Sequence, residues 1–244
     1  MQAEQWRLLA AAFEDRAREG STTSFCSICM DVSGMAGAGI TLMDGDQAGP
    51  LCVAGTGAAD LEDLQFTLGE GPCHDAYRSG SPVRVSRLDV DAPIRWVTFA
   101  ELAVRIGVAS VFAYPLTCDD ARLGVLTLYE TRPGDVSDDQ HDVFLGLADA
   151  LAASIAAMTP ANPQRSLGTA LDSAFATRAE LHQASGMVAV QLGIPAAQGL
   201  VRLRAHAFAS STPVSQIAAD IVGRRLRLED DHLPFIDDQN ENHE

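Results

Sequence analysis

The sequence predicts an α+β domain built on an antiparallel sheet, followed by a separate all-α domain of three helices. Three observations carry this. Five short apolar and β-branched runs, 38–43, 51–54, 82–85, 110–116 and 123–129, are bounded by turn residues and read as strands. Cys118-Asp119-Asp120-Ala121 lies between the last two and reads as a hairpin turn, so at least that pair is antiparallel. Beyond Thr159-Pro160-Ala161-Asn162-Pro163 the pattern gives three helices.

The elements follow in order. Between the strands, helices are expected at about 22–34, 58–66, 72–79 and 96–106, behind an N-terminal helix. Ser137-Asp138-Asp139-Gln140 has the capping-box pattern, with acids in the first turn, and opens a helix running to about Met158. Pro160 and Pro163 stop it, because proline removes a donor and clashes with the preceding turn. The next helix covers about 167–191 and ends at Gly193. Another runs from Pro195 to near Ser210. The last starts with Thr212 as N-cap and Pro213 at its first position. The tail 229–244 holds seven acids and no base, and is expected to be disordered. The domains are therefore 1–158, a linker at 159–165, 166–228, and the tail.

Composition narrows the function classes. No apolar run reaches the roughly 18–20 residues that span a bilayer, and the charged N-terminus is not a signal peptide. A cytoplasmic protein is expected. The five cysteines are scattered in apolar sequence, as buried free thiols are. Cys26-x-x-Cys29 lacks a second pair or a nearby His to complete a zinc set. Asp135, Asp138, Asp139, His141 and Asp142 are explained by helix capping, so no metal site is expected. His74 and Asp75 are sequence neighbours that diverge on a helix and form no dyad. No phosphate loop, G-x-S-x-G or H-E-x-x-H occurs, and no catalysis is expected.

The net charge is −16, which read globally disfavours a nucleic-acid partner. Residues 165–228, however, carry seven arginines against Asp172, Glu180 and Asp220, a local balance of +4. The rest of the chain stands at −20, and there is no lysine. This asymmetry suggests a basic binding face on an acidic carrier.

Spacing organises that basic segment. Leu167, Leu171, Ala174, Arg178, Leu181, Ser185, Val188 and Leu192 alternate by four and three, a seam suited to a dimer or bundle. In the next helix Ala196, Leu200, Leu203 and Ala207 form a stripe flanked by Arg204, while Arg202 and His206 point away from it. Val214, Ile217, Ala218, Ile221 and Val222 form the third stripe. Arg224, Arg225 and Arg227 follow it, where cations also suit the helix dipole.

Arg178-Ala-Glu-Leu-His-Gln-Ala-Ser-Gly186-Met resembles the opening of an ANTAR domain, R-x-x-I-E-Q-A-K-G. Leu203-Arg204-Ala-His-Ala207 is similar to that family's L-R-x-x-A, and 214–222 to its third helix. The resemblance covers about 170–226 in order. It implies an RNA-binding three-helix module that acts in transcription antitermination, usually as a dimer. Three positions depart from the pattern: its Lys falls on Ser185, its Glu on His182, and its Ala-Phe on Gly199-Leu200. The RNA contacts implied are Arg178, His182, Ser185, Arg202, Arg204, Arg224, Arg225 and Arg227.

Upstream, Gly69-Glu-Gly-Pro-Cys-His-Asp-Ala76, Gly80-Ser-Pro-Val83, Arg95-Trp96-x-x-Phe99, Gly107–Leu116 and Leu123–Tyr129 resemble a GAF domain of the kind that precedes ANTAR modules. That implies a sensor with a pocket on one face of an antiparallel sheet and leaves its cofactor or small-molecule ligand unnamed. Cys73 is expected near the N-terminus of a helix opened at Pro72, where a thiol's pKa tends to fall, and is the redox or ligand candidate. Trp96 and Tyr114 are further pocket candidates, with core packing as the alternative.

The expected function is signal-responsive binding of an RNA stem-loop, by a homodimer joined through the 137–192 helices. Signal would pass from the 137–158 helix to the 167–192 helix. A helix-turn-helix DNA binder, a degenerate interaction module and a thiol sensor built on Cys73 or Cys26/Cys29 remain as alternatives.

Overall fold

A computed structural model describes residues 3–18, 23–44, 47–92, 94–158, 168–210 and 212–228. The expected linker, Leu167 and the acidic tail fall outside these. The N-terminal part contains α1 (Ala3–Arg18), α2 (Thr23–Ser33), β1 (Gly37–Asp44), β2 (Gln47–Ala54), α3 (Ala58–Leu68), α4 (Pro72–Ser79), β3 (Val83–Val85), α5 (Leu88–Asp91), α6 (Val97–Arg105), β4 (Ser110–Cys118), β5 (Ala121–Glu130) and α7 (Asp138–Met158). The C-terminal part contains α8 (Gly168–Leu192), α9 (Ala196–Ser210) and α10 (Val214–Val222). The short α5 and the 3₁₀ turn Ile94–Trp96 have no sequence expectation behind them.

The five strands form one sheet in the order β2-β1-β5-β4-β3, with antiparallel neighbours throughout. The β4–β5 hairpin turns tightly through Asp119, whose φ of 52° an aspartate tolerates. β2 is an edge strand and accommodates Pro50 beside an irregularity in its pairing with β1.

Central strands alternate between two buried faces. Phe112, Tyr114, Leu116, Leu126 and Leu128 join α1, α2 and α7 in one apolar core. Val111, Ala113, Val125 and Tyr129 point the other way, toward α3, α4 and α6. α7 begins as its capping box requires: Ser137 N–H donates to Gln140 Oε1 at 3.1 Å, and Gln140 N–H to Ser137 Oγ at 3.2 Å.

The C-terminal helices form a bundle that shares a core with the sheet domain. Met43, Ala48, Phe66, Cys73 and Ala76 pack in one cluster with Leu181, Ala184, Val188, Leu200, Leu203 and Ile217. α8 packs on α9, α10 and β2, whereas α7 packs on β4, β5, α1 and α2. The segment that would join the 137–158 helix to the 167–192 helix in the expected relay lies outside the described residues. The bundle meets the sensor through β2 and α3, on the face opposite α7.

Two local expectations also change. Thr212 does not cap α10: its hydroxyl donates to the Ser210 carbonyl, and Pro213 occupies the N-cap. The cysteines are not all free thiols, since Cys26 and Cys52 form a disulfide that ties α2 to β2. Pairing required the fold, because the two partners are far apart in sequence and Cys29 lies on the same helix as Cys26. Cys29, Cys73 and Cys118 are free. No helix among the described residues is long and apolar enough to cross a membrane.

Candidate sensor chamber and nucleic-acid interface

Two sites emerge, a polar chamber under the sheet and a basic groove on the bundle. The chamber begins at the corner between α3 and α4. Gly69 ends α3 at φ 67°, with its N–H bonded to Gln65 O at 2.9 Å. Gly71 is the N-cap of α4, and Pro72 takes its first turn. This corner brings the start of α4 back over the last turns of α3. Cys73 N–H then donates to Gln65 Oε1 at 2.8 Å. His74 Nε2 lies 3.0 Å from Gln65 O. A carbonyl only accepts, so Nε2 carries the proton of the neutral ring.

Glu62 closes the chamber against the sheet. Its carboxyl accepts from Thr41 Oγ1 at 2.6 Å and from Gln65 Nε2 at 3.3 Å. Burial pushes its pKa up, partly offset by the Thr41 hydrogen bond. Burial and the Arg204 guanidinium push His74 down to about 4. Thr41, Ala48, Glu62, Gln65, Phe66, Cys73 and His74 line a partly open cavity of about 10 Å³, with Pro50 and Asp63 completing its lining, roughly the room one water needs. A buried carboxyl, an amide, a hydroxyl and a neutral imidazole can together bind a small polar molecule by hydrogen bonds.

The expected pocket residues distribute unevenly. Cys73 lines the chamber, but its thiol is not activated. Burial, reinforced by Glu62, raises its pKa well above the usual value and outweighs any effect of the helix N-terminus. Trp96 and Tyr114 are core residues away from the chamber. Trp96 packs edge-on to Phe99. Tyr114 lies on the opposite face of the sheet, where its hydroxyl is 2.8 Å from His141 Nδ1. Glu62, Gln65 and His74 were missed as site residues. Their only sequence signal is polarity on helix faces that otherwise pack inward.

On the bundle, Arg202, His206 and Arg227 line one groove with Leu192, Ala205, Ala209 and Leu228. Leu228 N–H donates to Gln191 Oε1 at 3.1 Å, which holds the chain after α10 beside α8 and forms the groove's far wall. His182 and Arg224 are exposed. Arg225 is engaged locally, with Nε donating to Asp220 Oδ1 at 2.8 Å and Nη2 to the Ala219 carbonyl, as a helix-end cation does. α8 carries Arg178, whose side chain lies outside what the structure describes.

Two expected RNA contacts do not face solvent. Ser185 is buried where α8 crosses α9. A Cβ at Gly199 would meet the Ser185 carbonyl at 2.2 Å. Two of the three departures from the ANTAR pattern are thus neighbours: a glycine on α9 and a small residue on α8 let the helices approach closely. Arg204 turns toward the sensor domain. Its guanidinium carbon is 5.9 Å from the Phe66 ring centroid.

The GAF domain family model matches residues 22–156, and the ANTAR domain model residues 169–222. No curated protein matches the chain. Among solved structures, the chain is similar to the GAF domain of an Acinetobacter phosphoenolpyruvate-protein phosphotransferase. The identity is 18%, over 64% of this chain and 95% of that one, with a TM-score of 0.49. A free methionine-R-sulfoxide reductase from Neisseria meningitidis is 17% identical over 64% and 91%, with a TM-score of 0.46. The phycoerythrobilin-bound GAF domain of a cyanobacterial phytochrome is 15% identical over 64% and 97%, with a TM-score of 0.48. The chain belongs to the GAF domain family and carries an ANTAR domain behind it, the pairing of a signal-sensing module with an antitermination-regulator module.

Proposed function

We propose that this chain senses a small polar molecule in the Glu62–His74 chamber and binds an RNA stem-loop through its helical bundle, acting in transcription antitermination without catalysis. The convergence of Arg202, His206 and Arg227 on one groove carries this reading. Guanidinium groups pair with phosphate oxygens and stack on unpaired bases, and imidazole stacks likewise. The local excess of cations on an otherwise acidic chain confines nucleic acid to this module. His182 and Arg224 extend the same exposed surface.

A homodimer through residues 137–192 belongs to this reading. It would use Leu181 and Val188, which are buried within the chain here, and so forms only after they are uncovered.

The test is a gel shift with a two-loop RNA and with duplex DNA at two salt concentrations. RNA-selective binding that weakens with salt is expected. Arg202→Ala with Arg227→Ala should lower RNA affinity about a hundredfold or more, at roughly 1.5–3 kcal/mol per lost charged contact. Equal affinity for RNA and duplex DNA, or binding indifferent to both substitutions, rejects the assignment.

A further inference from the structure

We propose that the bundle seated on the sensor domain is an autoinhibited state, latched by Arg204 at the chamber wall and released by a ligand that swells the chamber. The inference rests on the RNA-binding reading above.

Two independent observations carry it. The first is the position of Arg204. The family resemblance assigns this residue to RNA, yet it lies over Phe66 and against the α3–α4 corner. A Cβ built on Gly69 would stand 2.6 Å from its Nη1. The guanidinium is also near enough to His74 to disfavour protonation of that ring. While the bundle is seated, this cation faces protein rather than phosphate.

The second is a shared wall. Ala48, Phe66 and Cys73 line the chamber on one side. The same three residues belong to the core that receives Leu181, Val188, Leu200 and Leu203 on the other. The cavity of about 10 Å³ is full once a single water enters. A ligand that pushes on Ala48, Phe66 or Cys73 displaces that wall, and the wall is the seat of the bundle. Close-packed interfaces do not stretch, so they open. Ligand and docking therefore compete, and ligand binding favours the undocked bundle. Undocking exposes Arg204 together with the face of α8 that packs on β2. By linkage, RNA must tighten ligand binding by the same factor that ligand tightens RNA binding.

The experiment compares the full chain with Phe66→Ser and Ala48→Arg. The first removes the ring beneath Arg204. The second forces a large cation into the contact between β2 and α8. Neither residue touches the basic groove. Docking is read by hydrogen exchange of the β2 and α3 amides, and affinity by the RNA gel shift. Faster exchange in either variant, with RNA bound about tenfold or more tightly than by the parent chain, is the expected result, within the range typical of allosteric coupling. Faster exchange with unchanged or weaker RNA binding overturns autoinhibition while leaving the RNA reading intact. Exchange that stays protected in both variants overturns the assignment of the latch. Failure of the parent and both undocked variants to bind any RNA overturns the RNA reading as well, and with it this inference.

Discussion

Both faces of the sheet are buried, but only the α3–α4 face sets a polar cluster among its apolar residues. On the α7 face, Phe112, Tyr114, Leu126, Leu128, Phe144 and Leu147 meet as a dry apolar core, with the Cys26–Cys52 bond along one side. On the α3–α4 face the sheet supports Thr41, Glu62, Gln65 and His74, all buried and hydrogen-bonded to one another or to backbone. A dry core contributes stability through area removed from water. A polar core must satisfy every group, and it loses stability whenever charge or partner changes. The first face therefore holds the domain together. The second is the one a small molecule, a proton or a moving helix can perturb.

The largest effect that would break this comparison lies on the dry face. Phe144 is fully buried, packed against Tyr114 and Phe112. Phe144→Ala should cost about 3–5 kcal/mol in denaturant unfolding. RNA affinity of the remaining folded protein should be unchanged. A large shift in affinity at equal folded fraction would mean that the two faces are not separate.

On the same face, Cys26→Ser with Cys52→Ser should cost about 2–4 kcal/mol through the freed loop entropy of the unfolded chain. Calorimetry of the variant against the oxidised parent measures it.

The polar face predicts a pH dependence instead. The His74 pKa is lowered from 6.5 to about 4 in the folded chain. Between these values the unfolded chain binds the extra proton, so stability falls as pH drops from 6.5 toward about 4. The loss attributable to His74 approaches about 3 kcal/mol at the acid end. His74→Gln should flatten that limb of a stability–pH curve, and an unchanged limb would assign it elsewhere.

Glu62 has the opposite sign. Its raised pKa means the folded chain holds a proton longer than the unfolded one, so it withdraws stability as pH rises above 4.5. Glu62→Gln should gain on the order of 1 kcal/mol at about pH 8, and less at about pH 5, because the amide avoids ionisation in a buried site. Chemical denaturation at the two pH values resolves the difference.

Much of the fold is legible from local pattern. The five strands, the 137–158 capping box, the end of that helix at Met158 and the three C-terminal helices all follow from alternation, helical periodicity and punctuation by glycine and proline. These signals are written within a few residues of where they act. The chamber is not legible in that way. Glu62 and Gln65 read as the polar side of an ordinary helix, and only the corner at Gly69–Pro72 brings His74 back onto Gln65. The fate of the arginines is similarly split. Their clustering is plain in the sequence, but Arg225 caps its own helix, Arg202 and Arg227 share a groove, and Arg204 meets another domain.

Local sequence settles most of the elements, the order of the two domains and the charge asymmetry between them. Periodicity, capping and composition are properties of neighbouring residues. Packing decided where the polar cluster lies under the sheet, that Cys26 pairs with Cys52, and that the bundle seats on β2 and α3. Each of these joins residues distant along the chain, and depends on volumes and orientations that exist only after packing.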